Sequence, residues 1–201
     1  MLDDYLGNYF IYYKPRDIVA GDFYWSCKVD DIVYFACADC TGHGVPGAMV
    51  SVICSKSLDS ALKQYNLKKP GEILDKVSSL VEEAFEKSEL DINDGMDICL
   101  IAIDKKQNEL TLAGAHNSLY QIKSSNELNQ NEFIEHKTDK QPIGRYSHKA
   151  PFSQKKIKFH KGDTFYLFTD GYADQFGGEK GKKFLYREFK KLLVSISKFQ
   201  L

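Results

Sequence analysis

Three aspartates stand where an apolar or aromatic run meets a glycine-containing turn. Asp22 follows a glycine at the start of one run, Asp39 ends a second, and Asp170 ends a third and precedes a glycine. A carboxylate at the end of an apolar strand is costly unless it is paired or bound to a cation. Asp beside Gly is also a common turn pair, which accounts for any one of these positions alone. The three together predict an oxygen-only site for a hard cation such as Mg²⁺ or Mn²⁺.

Basic side chains near these carboxylates are candidates for a supporting role. His43, in a glycine-rich loop four residues after Asp39, fits either a proton donor facing a substrate or an ordinary surface histidine. Arg16, six positions before the first aspartate, fits either a bidentate grip on a phosphate or a solvent-exposed arginine. His116 is expected to stabilise a tight turn by hydrogen bonds. The sequence leaves both alternatives open for His43 and Arg16.

The cysteines do not indicate redox or zinc chemistry. Cys37 and Cys40 form a C-x-x-C, but the first lies within a predicted strand and a glycine-rich turn follows the second. His43 could join them around zinc, yet no fourth ligand stands at suitable spacing. Five cysteines without regular spacing argue against a disulfide framework and favour a reducing cytoplasm. Strand alternation predicts that Cys37 packs in the core.

Length and composition limit the class of protein. With 201 residues, 43% of them hydrophobic and 27% charged, the chain suits one globular domain. A net charge of -1 gives no overall field that would favour nucleic acid or an anionic membrane. No apolar run approaches the roughly 18 residues that cross a bilayer. The start of the chain lacks signal-peptide order and suggests a domain cut from a longer signalling protein.

Helices are predicted where apolar residues recur at helical spacing. One covers residues 48–65, Pro70 and Gly71 open another, and a final amphipathic segment covers 184–199. The glycines and proline of residues 41–47 are expected to exclude regular structure. Strands are predicted over residues 9–13, 22–29, 31–38, 97–103, 109–113, 118–123, 133–136, 157–159 and 165–169.

The order of these elements indicates the fold class. The predicted strands come in consecutive runs, and two helices are grouped together between them. Residues 29–31 are expected to form a hairpin turn, and the strands between 97 and 136 resemble a meander. This order favours an α+β fold with antiparallel sheets over the regular strand–helix alternation of a doubly wound fold. Since no internal repeat or linker is evident, we expect residues 1–201 to form one domain.

Five motifs, in this order along the chain, resemble those of a known family of bacterial phosphatases. They are GDFYW at 21–25, ADCTGHGVPGA at 38–48, DGMDI at 94–98, GAHN at 114–117 and TDGYAD at 169–174. The resemblance is to the stage II sporulation protein E type, a branch of the metal-dependent (PPM, protein phosphatase 2C-like) superfamily. It covers nearly the whole chain, and the long motif around Asp39 is highly specific.

The resemblance implies both a fold and a metal centre. The implied fold is an αββα sandwich, two stacked antiparallel β-sheets flanked by α-helices, with two Mn²⁺ or Mg²⁺ ions between the sheets. Asp39 matches the carboxylate that bridges the ions, and the backbone carbonyl of Cys40 matches a further ligand. Asp22 and Asp170 match other metal positions, and Asp174 falls where some relatives bind a third ion. Two weaker candidates are Asp94 and Asp97.

The resemblance also implies a reaction and its partners. A metal-activated water would attack phosphorus in line, without a phosphoenzyme. The implied substrate is phosphoserine or phosphothreonine on a regulatory protein of the anti-sigma factor antagonist type, and a sensor domain is expected upstream in the same polypeptide. We expect neither nucleic acid nor direct membrane contact. The alternatives are a non-catalytic phosphoprotein-binding or signal-relay module and a hydrolase of small phosphoesters or nucleotides.

Two features depart from the pattern of the family. Its eukaryotic branch has a histidine directly after an Asp-Gly pair, whereas Thr41 and Gly42 here separate Cys40 from His43. The family also ends with an Asp-Asp-(Ile/Val) motif on a closing strand whose aspartate completes the metal site, and nothing similar follows Asp174. We therefore expect a domain that lacks the C-terminal strand and has reduced metal affinity and weak activity.

Overall fold

The computed structural model describes residues 8–86, 94–124, 131–179 and 181–197. Its α-helices are α1 (Gly44–Lys63), α2 (Pro70–Glu86) and α3 (Leu185–Ile196). Its strands are β1 (Phe23–Val29), β2 (Ile32–Cys40), β3 (Gly95–Asp104), β4 (Glu109–Ala115), β5 (Leu119–Lys123), β6 (Glu132–His136), β7 (Ile143–Gly144), β8 (Lys155–Lys158), β9 (Thr164–Tyr166), β10 (Phe176–Gly177) and β11 (Lys182–Lys183). A single 3₁₀ turn covers Asp170–Tyr172 in this part of the chain.

The strands form two main antiparallel sheets. The larger has the order β1-β2-β3-β4-β8, with β7 also paired to β3. The smaller has the order β6-β5-β9, and β10 and β11 make a separate hairpin. The predicted turn between β1 and β2 is present, since Val29 pairs with Ile32 and Asp30 adopts a positive φ of 55°. The α+β class with antiparallel sheets is confirmed.

Alternation along the strands separates the core into layers. Ile98 and Leu100 of β3 pack with α1 and α2, while Cys99 and Ile101 face the other way and pack with Leu119 of the smaller sheet. On the far side of the smaller sheet, the buried aromatic and aliphatic residues of β5 and α3 form a third cluster. The sequence of layers is therefore α1 and α2, larger sheet, smaller sheet, α3, which is the sandwich that was expected.

Helix α1 begins four residues earlier than the sequence predicted. The segment from Gly44 to Gly47 forms its first turn and His43 is its N-cap residue. Pro46 is compatible with this position because the first N–H groups of a helix have no partner within the helix. The expectation that the glycines and proline of 41–47 exclude regular structure is therefore wrong for its second half.

Three expectations about strands are also wrong. Residues 9–13 form no strand, and their aromatic side chains instead make isolated edge contacts, such as Tyr12 with Tyr172. The strands between 97 and 136 form no single meander, because the chain leaves the larger sheet after β4 and enters the smaller one at β5. The last predicted strand, 165–169, is shortened to Thr164–Tyr166. Local amino-acid composition does not depend on which sheet a strand joins or on isolated aromatic contacts. The sequence therefore could not show either feature.

Two further observations concern burial and membranes. Cys37 is half-buried rather than in the core, because it lies on the same face of β2 as Phe35 and Asp39. Burial nevertheless raises the pKa of its thiol to about 12. In the described segments no helix has the length and apolar character needed to span a bilayer.

Candidate active site

Asp39 and Asp22 lie at one end of the face between the two sheets. Ala38 and Cys40 pack toward the helices, so Asp39 between them points to the opposite face of β2. On β1, Phe23 and Trp25 pack on the helix side, which places Asp22 on the same face as Asp39. Strand alternation therefore sets the side on which both carboxylates lie.

Asp97 joins these residues through strand register. It pairs directly with Asp39 in the antiparallel ladder of β2 and β3. Because directly opposed side chains lie on the same face of a sheet, both carboxylates face the smaller sheet. Asp97 was a weaker candidate in the sequence, and its side chain also contacts His116, with 2.8 Å between Oδ1 and Nδ1.

Asp170 approaches from the other side of the sandwich. It follows β9 of the smaller sheet and opens the 3₁₀ turn. The neighbouring Thr169 hydroxyl donates a hydrogen bond of 2.6 Å to Oδ2 of Asp22. This bond joins residues 147 positions apart and holds the end of the smaller sheet against the start of β1.

Burial and neighbouring charges raise the pKa values of Asp39 and Asp170. Burial, followed by the charges of Asp22 and Asp170, raises the pKa of Asp39 to about 8. Burial and the charges of Asp174 and Asp22 also raise the pKa of Asp170, while a hydrogen bond from Asp39 opposes that shift. Asp39 has the most strongly raised pKa of the cluster, because a partly buried group of like charges cannot ionise fully at low cost.

Two tyrosines border the aspartates. The Tyr13 hydroxyl donates to the backbone carbonyl of Asp22 at 3.0 Å. Tyr186 of α3 has a pKa raised to about 12 by burial and then by the charges of Asp170 and Asp174. Sequence reasoning missed both, as well as Thr169. A tyrosine in an aromatic-rich segment gives no local signal that distinguishes a site wall from a packing residue.

Asp174 and its partner form the outer edge of the cluster. The backbone N–H of Asp174 donates to the carbonyl of Asp170, which fixes the two aspartates one turn apart. Lys183 of β11 lies 2.6 Å from Oδ2 of Asp174. The hairpin of β10 and β11 therefore brings the ammonium group of Lys183 to the outer edge of the cluster.

The structure does not bring the two basic candidates to the aspartates. The side chain of His43 is 78% exposed, and its Nδ1 lies 3.8 Å from Oδ2 of Asp17. Arg16 is exposed in the loop before Asp22. The proposed proton-donor role of His43 and the phosphate-binding role of Arg16 remain predictions.

Gly21 allows the backbone to approach closely beside Asp22. A Cβ on Gly21 would lie 2.8 Å from the carbonyl oxygen of Gly42 and 3.0 Å from that of Cys40. The carbonyl of Cys40, implied as a ligand, therefore lies directly against the residue that precedes Asp22. Only glycine fits this contact without displacement of the backbone.

The donors present fit a hard cation in chemistry. Asp22, Asp39 and Asp170 supply carboxylate oxygens, the ligand type that Mg²⁺ and Mn²⁺ prefer. Over the ranges that the structure describes, no three His, Cys, Asp or Glu side chains are arranged so that they could hold a metal ion as they stand. Because the pKa of Asp39 is raised, cation binding at this carboxyl would compete with its protonation.

Comparison with protein families gives one match. The family model of stage II sporulation protein E (SpoIIE) matches residues 30–198. This range includes two of the three central aspartates, Asp39 and Asp170. Among curated proteins, no sequence matched.

Several solved structures are similar to this chain. The SiaA-PP2C domain of Pseudomonas aeruginosa has 32% identity and a TM-score of 0.80, covering 94% of this chain and 72% of that one. The RsbU and RsbW domains of a Mycobacterium tuberculosis protein have 18% identity and a TM-score of 0.69, covering 90% of this chain and 47% of that one. RsbX in complex with magnesium has 13% identity and a TM-score of 0.58, covering 90% and 82%.

Proposed function

This chain belongs to the stage II sporulation protein E family of the PPM, or protein phosphatase 2C-like, superfamily, and on that premise we propose that it is a metal-dependent protein serine/threonine phosphatase. The observation that carries the proposal is the convergence of Asp22, Asp39 and Asp170 from both sheets. Burial, together with the charges of Asp22 and Asp170, raises the pKa of Asp39 to about 8. A bound cation would compensate that charge.

Residues of this chain would account for the binding of two Mn²⁺ or Mg²⁺ ions. Asp22, Asp39 and Asp170 would hold them through side-chain oxygens and Cys40 through its backbone carbonyl, with Asp174 available to a third ion. Two bound ions would supply a water acidic enough to act as a nucleophile at neutral pH and would offset phosphoryl charge.

The surrounding residues position these donors. The Thr169 hydroxyl fixes one carboxylate oxygen of Asp22, and Tyr13 holds the backbone of the same residue. Lys183 restrains Asp174. Residues that orient metal ligands commonly contribute strongly to affinity and activity, so these contacts belong to the proposed mechanism.

The proposed substrate is phosphoserine or phosphothreonine on a regulatory protein of the anti-sigma factor antagonist type. Support comes from the similar M. tuberculosis structure, which joins an RsbU to an RsbW domain. We further propose an upstream sensor domain in the same polypeptide. A cytoplasmic location is suggested by the five cysteines, all of which are free thiols.

The test is phosphate release from p-nitrophenyl phosphate and from a phosphoserine peptide, with Mn²⁺ or with EDTA. We expect Mn²⁺-dependent turnover that Asp39→Asn and Asp170→Asn each abolish. Asp39→Asn should not lower the thermal midpoint in EDTA, because an uncharged amide replaces a carboxyl that is costly to ionise in this cluster. Asp31→Asn, at the opposite end of β2, is the matched control and should retain turnover.

Two results would contradict this proposal in different ways. A wild-type chain that binds a phosphorylated protein without releasing phosphate would support the non-catalytic binding module. Turnover of free nucleotides that greatly exceeds turnover of phosphopeptides would support a hydrolase of small phosphoesters.

A further inference from the structure

A cleft of about 360 Å³ lies beside the aspartates, on the side of the loop that follows β4. Its lining consists of His116, Ser118, Glu135, Lys137, Thr138 and Lys140. These residues come from the β4–β5 connection, from the end of β6 and from the segment that follows β6. No catalytic step proposed above uses this cleft.

The cleft carries a positive charge that is not neutralised. Its one carboxylate, Glu135, is already paired with Lys190 of α3 at 2.8 Å. Lys137 and Lys140 are exposed, and no ion pair links either of them to another residue of the described segments. Two ammonium groups therefore remain available to an anionic ligand.

The walls of the cleft are held in place by the fold. The Lys155 ammonium donates to the backbone carbonyl of Lys137 at 2.9 Å. The Thr138 hydroxyl donates to the carbonyl of Asn117 at 3.0 Å. Both bonds leave the Lys137 and Lys140 side chains free to reach a ligand. A cleft whose backbone is already ordered loses less entropy when it binds.

One residue connects the cleft to the proposed catalytic centre. His116 lines the cleft, and its Nδ1 contacts Oδ1 of Asp97 at 2.8 Å. Asp97 in turn pairs with Asp39 across β2 and β3. His116 and Asp97 therefore link the cleft to Asp39 through one side-chain contact and one pair of opposed strand residues.

We propose, on the basis of the phosphatase function above, that this cleft binds an acidic segment flanking the phosphorylated residue of the protein substrate. Lys137 and Lys140 attract its carboxylates, and the hydroxyls of Ser118 and Thr138 lie beside them. The cleft thus acts on the residues that flank the phosphorylated side chain. It therefore contributes to selection among phosphoproteins rather than to the chemical step.

The test compares two phosphoserine peptides that differ only in flanking residues, with two glutamates in one and two glutamines in the other. We expect the wild-type kcat/KM in Mn²⁺ to favour the acidic peptide by about 5- to 20-fold at low salt, in line with two partly exposed charge pairs. Added salt should reduce the preference, because the Debye length falls to roughly 8 Å at 0.15 M ionic strength.

Two double variants and a matched control isolate the cleft. Lys137→Gln with Lys140→Gln should bring the ratio of the two kcat/KM values close to one, and Lys137→Glu with Lys140→Glu should invert it. The matched control, Lys105→Gln with Lys161→Gln, removes two positive charges at the end of β4 and β8 that lies away from the cleft. This control should keep the wild-type ratio.

The proposal is overturned if the wild type shows no preference, or if the control variant loses the preference as fully as the cleft variant. Fluorescence anisotropy of the two labelled peptides measures the same preference as binding affinity. Absence of turnover with intact preference for the acidic peptide would refute the phosphatase function alone. Turnover without any preference would refute the cleft alone.

Discussion

At the scale of single residues, the acidic side chains of the candidate site lower the local stability of the fold. Asp39 sits at the end of a buried strand with Asp22 and Asp170 nearby, and the raised pKa of Asp39, about 8, reports the cost of ionising it there. A core selected only for stability would have an apolar residue at this position. Such a conflict between sequence and burial is expected where a protein binds or reacts.

Thr169 provides a test of carboxylate positioning. Thr169→Val removes the hydroxyl that donates to Oδ2 of Asp22 while it preserves the shape of the side chain. A hydrogen bond to a charged group contributes about 1.5–3 kcal/mol, so we expect the Mn²⁺ concentration at half-maximal activity to rise about tenfold or more. Titration of the phosphatase activity with Mn²⁺ measures this concentration. Thr169→Ser should remain near wild type, and an equal loss in both variants would contradict the role of the hydroxyl.

His136 predicts a pH dependence of stability. Burial, followed by the charges of Lys155 and Lys123, lowers the pKa of this histidine from 6.5 in the folded chain. Near pH 6 the unfolded chain therefore binds more protons than the folded chain does. The free energy of unfolding falls as the pH decreases through the pKa that this histidine has in the unfolded chain. We expect His136→Asn to lose less stability than wild type between pH 7.5 and 5.

The measurement for His136 is the urea midpoint at each pH. His160→Asn serves as the control, because it removes an exposed histidine just after β8. If the urea midpoints of His136→Asn and His160→Asn depend on pH in the same way, this explanation is wrong.

At the scale of elements, strand register brings the site together. The pairing of β2 with β3 places Asp97 opposite Asp39, and the same ladder places Cys37 opposite Cys99. A shift of one residue in this pairing would place Asp39 and Asp97 on opposite faces of the sheet. The apolar alternation of Tyr34, Ala36 and Ala38 against the helices fixes the register and thereby the direction of the carboxylates.

The contact of Gly21 with the end of β2 can be tested by one added methyl group. Gly21→Ala places a Cβ within 3.0 Å of two backbone carbonyl oxygens. We expect a loss of about 1–3 kcal/mol in the free energy of unfolding, together with reduced metal-dependent activity. Gly177→Ala is the matched control, since nothing lies within 4 Å of that position. Equal stability of the two variants in urea denaturation would contradict the close approach.

At the scale of the whole molecule, the layers hold the two halves of the site together. Asp39 and Asp97 belong to the larger sheet and Asp22 immediately precedes its strand β1, whereas Asp170 follows the smaller sheet. Their convergence depends on the apolar cluster between the sheets and on the cover that α3 gives to the smaller sheet. A substitution that loosens the packing of α3 should therefore weaken the candidate site, even though every proposed metal ligand is retained.

Leu193 tests the outer layer. It is 4% exposed and packs in the cluster that joins α3 to β5. Leu193→Ala should lower the free energy of unfolding by about 2–4 kcal/mol through lost burial and the cavity left behind. Ile196→Ala, at a position 39% exposed in the same helix, should change it by about 0.5 kcal/mol or less. Urea denaturation measures both, and similar losses would show that α3 does not cover a core.

The sequence by itself determined the fold class and singled out most of the residues proposed for the candidate site. Aromatic and β-branched runs predicted most of the strands, helical spacing predicted α1 and α2, and the motif order predicted the family. Asp22, Asp39 and Asp170 were found because each breaks an apolar pattern beside a glycine. These are local signals, which a single sequence records well.

Only the tertiary structure decided the contacts between segments that are distant in sequence. The bond from Thr169 to Asp22, the proximity of Tyr186 and the Lys137–Lys140 cleft depend on how the two sheets stack. The change of sheet between β4 and β5 likewise depends on which face can be buried. The physical reason is that burial and long-range pairing are properties of packed layers, whereas propensity and periodicity act over only a few neighbouring residues.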